Sequence, residues 1–190
     1  MRWTVIRGST LQTTPWRNGH GTTRNIVTRL ARDGTLAWQV GLADLVRDAQ
    51  FSPFPHCDRI FTLLAGEPPV SLSFDDGPFE PCRLLIPKPF RGEQVTKCRV
   101  PSPGQALNAI FDRRHYSADV RVLRLEAGDA VEAPDAPEIV VYCAAGELAA
   151  AGEVLALGDS LLGPGPASPG AAAADATAIL VAIRPVHQTP

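Results

Sequence analysis

No stretch of this 190-residue sequence is apolar for long enough to cross a membrane. The longest runs, Ile139–Ala145 and Ile179–Ile183, fall far short of the ~18 residues a spanning helix needs. A secretory leader is not expected, because Arg7 and Gly8 interrupt the first apolar residues before an h-region can form. Basic excess is missing too. The 18 Lys and Arg stand against 20 Asp and Glu, for a net charge of -2, which argues against a nucleic-acid partner. The four cysteines, Cys57, Cys82, Cys98 and Cys143, include no CxxC pair. They read as buried, reduced thiols of a cytoplasmic protein rather than as a disulfide frame. No Gly-x-Ser-x-Gly elbow is present, and Gly19-His20-Gly21 lacks the third glycine and the lysine of a phosphate loop. The four histidines, His20, His56, His115 and His187, show no paired spacing, so neither a metal nor another cofactor is expected. His56, Cys57 and Asp58 could each donate to an ion, but three adjacent residues of an extended strand rarely point to one centre.

What the sequence does have is short apolar or alternating segments between turn residues. Hydrophobic residues make up 45% and charged ones 20%, which fits a folded globular chain and not a disordered one. The 16 glycines and 18 prolines argue against long helices. Strands are expected over Trp3–Ile6, Thr23–Arg29, Leu36–Leu42, Arg59–Leu64, Val70–Phe74, Arg83–Ile86, Gln94–Val100, Val120–Leu125, Glu138–Cys143 and Ala178–Ile183. Asn18-Gly19, Asp33-Gly34, Asp75-Asp76-Gly77 and Gly128-Asp129 are the intervening turns. Ala43–Ala49 and Gln105–Arg113 are the two places where a turn of helix is expected. Gly163–Ala176, GPGPASPGAAAADA, reads as a mobile low-complexity loop, and the last six residues are expected to fray.

Two stretches resemble one another. Asp58–Glu67 aligns without gaps on Glu138–Glu147, an acid and an apolar strand leading to Ala-Gly-Glu in both. Phe90-Arg91-Gly92-Glu93 is echoed by Leu155–Asp159 further on. An internal duplication of a β-module follows, with its boundary near Arg114–Ala118. The expected domains are a first module over residues 1–114 and a shorter, degenerate second one over 115–190.

The strand–Gly-Glu–strand–Gly-acid pattern resembles that of cupins. Pro15-Trp16-Arg17-Asn18-Gly19-His20-Gly21-Thr22-Thr23 is similar to the signature of the HutD/Ves family. Trp38–Asp44, Phe51–Arg59, Leu63–Gly66 and Leu107–Arg114 follow in the family's order. The resemblance implies an all-β, cupin-like (jelly-roll) double β-barrel, a bicupin in one chain. It further implies a protein without metal that binds a small carboxylate, formylglutamate or a related histidine-degradation intermediate, in a regulatory or flux-limiting role. Three positions depart from the family pattern: His20 stands where glycine is usual, Asn25 where an acid is usual, and Ala106 where a polar residue is usual.

The expected ligand site comprises Trp16, Asn18, Gly19, Thr22, Arg59, Asn108 and Arg113. Trp16 would wall an apolar side, and glycines would let backbone N–H groups approach a ligand closely. Asn18-Gly19 is equally readable as a plain hairpin turn. Arg59 reads either as a rim charge or as a guanidinium fork matched to a carboxylate. Arg113 and Arg114 share that ambiguity. Asn108 is a polar residue in an apolar segment and needs a partner. An enzyme without metal, an isomerase or lyase, is the first alternative, with His20 as base, Asp58 as orienter and Tyr142 as acid. A non-catalytic interaction protein is the second. The expected partner is a small anionic metabolite, and edge strands leave room for a homodimer.

Overall fold

The computed structural model describes residues 3–16 and 19–186. Among them the strands are β1 (Thr4–Ile6), β2 (Thr13–Pro15), β3 (Gly21–Leu30), β4 (Leu36–Leu45), β5 (Ala49–Gln50), β6 (Cys57–Ala65), β7 (Ser71–Phe74), β8 (Glu80–Pro81) and β9 (Lys88–Arg91). The chain continues with β10 (Thr96–Arg99), β11 (Gly104–Asp112), β12 (Tyr116–Leu125), β13 (Glu138–Ala145), β14 (Leu148–Ala150), β15 (Glu153–Leu155), β16 (Ser160–Gly163), β17 (Gly170–Ala172) and β18 (Ala176–Pro185). The protein is all-β, and no helix among the described residues is long and apolar enough to cross a membrane.

Two compact units divide the chain. The first covers Gln12–Tyr116 and holds a six-stranded sheet, β2-β3-β4-β11-β6-β9, and a four-stranded sheet, β5-β10-β7-β8. Alternation drives this packing. In β10, Thr96 and Cys98 are buried while Lys97 and Arg99 are exposed, the period of two that a strand with one wet face requires. Leu45, Phe61, Leu63 and Ala106 of the larger sheet share a core with Leu72 and Cys98 of the smaller one.

Among the described residues the second unit comprises 117–186 together with 3–11. Its sheets are β1-β16-β13-β18-β12 and β15-β14-β17. Ile139, Val141, Leu161 and Leu180 of the larger sheet and Leu148 and Leu155 of the smaller one fill its core. The N-terminal residues, expected in the first module, thus belong here. Thr4, Val5 and Ile6 pair with Leu162, Leu161 and Ser160. Arg7 is ion-paired to Asp159 and Glu153, and the Trp3 ring lies against Gly163, where a Cβ would collide with it.

The two units repeat one plan. β4-β11-β6-β9 in the first has the same strand order as β12-β18-β13-β16 in the second. The register breaks in the same place in both. Leu64 is the extra residue of β6 against β11, and Ala144 is the extra residue of β13 against β18. These bulged positions coincide in the gapless alignment of the two halves. Each is followed two residues on by a glycine at positive φ, Gly66 and Gly146.

Several sequence expectations are corrected. Gln105–Arg113 lies in strand β11 and its turn, not in a helix, because Leu107, Ala109 and Phe111 are buried as well as the residues between them. Ala43–Ala49 is the end of β4 and the turn to β5. Arg83–Ile86 makes only one bridge, Leu84 to Leu63, because Leu85 adopts φ 58°. The small-residue run Gly163–Ala176 contains β17, whose Gly170 lies so close to Ala149 that a Cβ would not fit. Small residues permit close packing at Gly163, Gly165 and Gly170.

Candidate functional site: a pocket around a buried arginine

The first unit holds an open-mouthed cavity of about 320 Å³ lined by its six-stranded sheet, the β2–β3 hairpin and the segment from Gln50 to Phe54. Period-two alternation decides which side chains reach it. On β3, Thr23 and Asn25 line the cavity; on β4, Gln39, Gly41 and Ala43, with Leu42 between them also at the lining; on β11, Asn108 and Ile110. Gly41 lies opposite both Asn25 and Asn108 in the sheet. A Cβ on Gly41 would sit 2.7 Å from Asn25 Oδ1, so the glycine gives that amide its place in the lining.

Arg59 projects inward from β6, between Ile110 of β11 and Phe90 of β9. It is 6% exposed. Its Nη2 donates to Asn108 Oδ1 at 3.2 Å, and its Nε has no hydrogen-bond partner. Three rings surround the guanidinium, with Phe51 at 4.8 Å, Phe90 at 5.1 Å and Phe54 at 5.5 Å. Among the described residues no carboxylate neutralises it. Burial lowers its pKa to about 10, with only the Cys57 and Cys98 thiols opposing. Those thiols carry no charge at neutral pH, since burial raises both, Cys98 to about 12. Arg59 is therefore a charged, desolvated cation whose protein partners are one amide and aromatic faces.

Trp16 closes one side. Its Nε1 donates to Thr23 Oγ1 at 2.8 Å, and its ring meets Phe51 edge-on at 5.9 Å. The hairpin carrying it is pinned by Trp16 N–H to Gly21 O at 2.9 Å and Gly19 N–H to Trp16 O at 3.0 Å. Gly21 must lack a side chain, because a Cβ would lie 2.5 Å from Asp44 O and 3.1 Å from the Trp16 ring.

Of the seven residues expected in the ligand site, the structure brings Trp16, Arg59 and Asn108 into one pocket. Asn18 lies outside the described residues. Gly19 occupies the hairpin turn at φ 69°, away from the lining. Thr22 is replaced by its neighbour Thr23, because alternation sends Thr22 to the opposite sheet face. There its hydroxyl donates to Asp44 at 2.9 Å, beside Gln105 at 2.6 Å and Arg24 at 3.1 Å. Burial pushes the Asp44 carboxyl up, but the Gln105 and Thr22 hydrogen bonds and the Arg24 charge outweigh it and leave its pKa lowered. Arg113 is also engaged elsewhere, with Asp58 at 2.7 Å and with Glu93.

The residues of the enzyme alternative have separate partners. A His20 ring nitrogen lies 2.7 Å from Asp48 O, and Asp58 accepts from Arg113. Tyr142 is buried on β13 of the second unit. Among the described residues no three His, Cys, Asp or Glu side chains gather to hold a metal.

Sequence reasoning missed Thr23, Asn25, Gln39, Gln50 and Ser52 as lining residues. The only available signal was parity with Arg59, which needs the strand register to be usable. The second unit has no equivalent of the Arg59–Asn108 pair. Ile139 stands where the repeat places Arg59, and Leu180, opposite Val141, stands where Asn108 faces Phe61. Both are fully buried.

Comparison with known proteins places these features. The HutD family model matches residues 8–181. Protein Ves of Escherichia fergusonii is 32% identical over 85 residues, covering 45% of this chain and 44% of that protein. An uncharacterised 21.2 kDa protein from the hutC 3′ region of Pseudomonas putida is 29% identical over 117 residues, 60% of each chain. The alignments thus span about half the length of these relatives. The structure of HutD from Pseudomonas fluorescens SBW25, described as a formate condition, superposes with a TM-score of 0.80 at 23% identity, over 97% of this chain and all of that one. A cupin 2 conserved barrel domain protein from Leptotrichia buccalis gives a TM-score of 0.60 at 10% identity, over 96% of both chains. The fold is that of the cupin-like proteins.

Proposed function

The chain belongs to the HutD family, and from that premise we propose that its first unit binds a small carboxylate without a metal, in a regulatory or flux-limiting role in the cytoplasm. Arg59 carries the reading. A guanidinium this deeply buried is normally matched by an acid, and here the open side is a cavity of metabolite size. An entering carboxylate supplies the missing charge and can accept from the guanidinium. The Asn108 amide, the Thr23 hydroxyl and Asn25 surround the rest, and Trp16 forms the wall. Formylglutamate and related histidine-degradation intermediates are the candidates that family membership brings. Formate, the condition named for the Pseudomonas fluorescens structure, is the smallest carboxylate to include.

The repeated strand order and the shared bulge support a bicupin, two cupin modules in one chain. In this reading the second module keeps the architecture and has closed its pocket with Ile139 and Leu180.

Thermal unfolding against a panel of acids tests the proposal. The panel holds formate, formylglutamate, glutamate, urocanate and several sugar acids, each with and without chelator. A ligand at ~100 times its dissociation constant adds about 2.7 kcal/mol of stability, a shift of several degrees at this size. The expected result is a shift with at least one acid, unchanged by chelator and lost in Arg59→Ala. No shift with any acid, or a large drop in stability with chelator alone, would overturn it.

A further inference from the structure

Arg59 and Asn108 meet diagonally across the sheet. Asn108 stands directly opposite Gly41 of β4 and Phe61 of β6, neither of which has a polar side chain, and Arg59 reaches it from two residues along β6. Both are buried, Arg59 being 6% and Asn108 8% exposed. Their hydrogen bond also fixes which end of the amide is which. A guanidinium only donates, so the atom 3.2 Å from Nη2 is the oxygen Oδ1, and the other end of the amide is the Nδ2 donor. A neutral oxygen thus tethers a buried cation. The isosteric acid, aspartate, would tether it equally well and cancel its charge.

We propose that Asn108 is the residue that keeps Arg59 available to an anion: its neutral oxygen positions the guanidinium without cancelling the charge, and the rest of its amide has only donors to offer a carboxylate. The inference rests on the carboxylate reading of the Arg59 pocket. A carboxylate that reaches Arg59 supplies the charge that Asn108 withholds, and it accepts from guanidinium and amide alike. With an acid built in at position 108, the pocket would carry its own anion, and an entering carboxylate would meet a like charge in place of a donor. The open mouth of the cavity does not alter this contest, because it is decided at two side chains that solvent barely reaches. The same substitution bears on stability with the opposite sign. Arg59 has already lost its hydration, so an acid beside it gains the ion pair at the cost of desolvating one ion rather than two.

The experiment measures affinity and stability on the full-length protein. Calorimetric titration at neutral pH uses formylglutamate, formate and any other acid of the thermal panel that shifts the wild type, and thermal unfolding without ligand reads the fold. Asn108→Asp is expected to raise Tm by several degrees and to weaken every acid that binds by at least ~30-fold. A purely structural residue would lose stability and binding together. Asn108→Leu leaves the Arg59 charge uncancelled but removes its tether, and is expected to lower Tm and to weaken binding by on the order of tenfold. Wild-type affinity in either variant, or a fall in Tm in Asn108→Asp, would overturn the role of Asn108 and leave the carboxylate reading standing. If no acid binds the wild type, the carboxylate reading falls and the role of Asn108 with it.

Discussion

Arg59 is held against the interests of stability. It loses hydration inside the first unit, receives one amide hydrogen bond, and keeps an unpartnered Nε. Its three aromatic neighbours return part of that loss. In the second unit Ile139 and Leu180 occupy the matching positions in an apolar core. The double substitution Arg59→Ile with Asn108→Leu copies that solution into the first unit. Replacing a buried charge and its polar partner by apolar residues of similar volume is expected to stabilise the free protein by on the order of 1–3 kcal/mol. Thermal unfolding should show a raised Tm, and the acid panel should show no ligand shift. A fall in Tm of several degrees would mean that the Arg59–Asn108 pair is a structural element. The residue scale is also where sequence reading was weakest. Arg59 and Asn108 were recognisable because charge or amide interrupts an apolar run. Thr23 was not, because Thr22 and Thr23 are chemically alike and only their pairing with Ala43 and Asp44 fixes which one turns inward.

Strand ends carry much of the polar chemistry. At the end of β11, Asp112 is 5% exposed and accepts from the Arg114 backbone N–H at 3.0 Å and from its Nε at 2.9 Å and Nη2 at 2.6 Å. The Arg114 side chain, ahead of the backbone hydrogen bond, holds the carboxyl down at about 2, and burial only partly opposes. A depressed carboxyl stabilises the fold above its unfolded pKa and loses that contribution as pH falls through the folded one. The loss is therefore placed between about pH 4 and pH 2. Because Arg114 is half exposed, the contribution is at most about 1 kcal/mol. Asp112→Asn should flatten the dependence of Tm on pH across that window while changing its slope little above pH 5. An unaltered slope below pH 4 would assign the acid sensitivity to other carboxylates. Element existence was legible for the long strands, whose apolar runs stand out, and for the duplicated Ala-Gly-Glu ends. The two- and three-residue strands β5, β8, β15 and β17 were not, since such pieces have no period to detect and form only where a neighbouring strand offers its edge.

At the scale of the whole chain, the N-terminus does not stay with the residues that follow it. Residues up to Leu11 complete the second unit, and the chain crosses to the first unit only from Gln12. No local pattern announces this, because Trp3–Ile6 reads as a strand whichever sheet receives it, and β16 lies more than 150 residues away. The attachment is specific. β1 covers the edge of β16, Asp159 accepts from the Gly8 backbone N–H at 2.9 Å and from Arg7 at 2.6 Å, and Trp3 and Val5 pack on the second unit's core. Burying those two side chains contributes about 3 kcal/mol. Deleting residues 1–11 also strips β16 of its neighbour and leaves an unpaired edge. The shortened protein is expected to unfold several degrees lower, with amide-exchange protection lost first in β16 and β13. Arg7→Ala alone should reproduce the smaller part of the effect, and the share owed to its solvent-accessible ion pair with Glu153 should be salt-sensitive. Unchanged exchange in β16 after the deletion would show that the C-terminal segments close on themselves, and that the N-terminal strand decorates a unit it does not hold together.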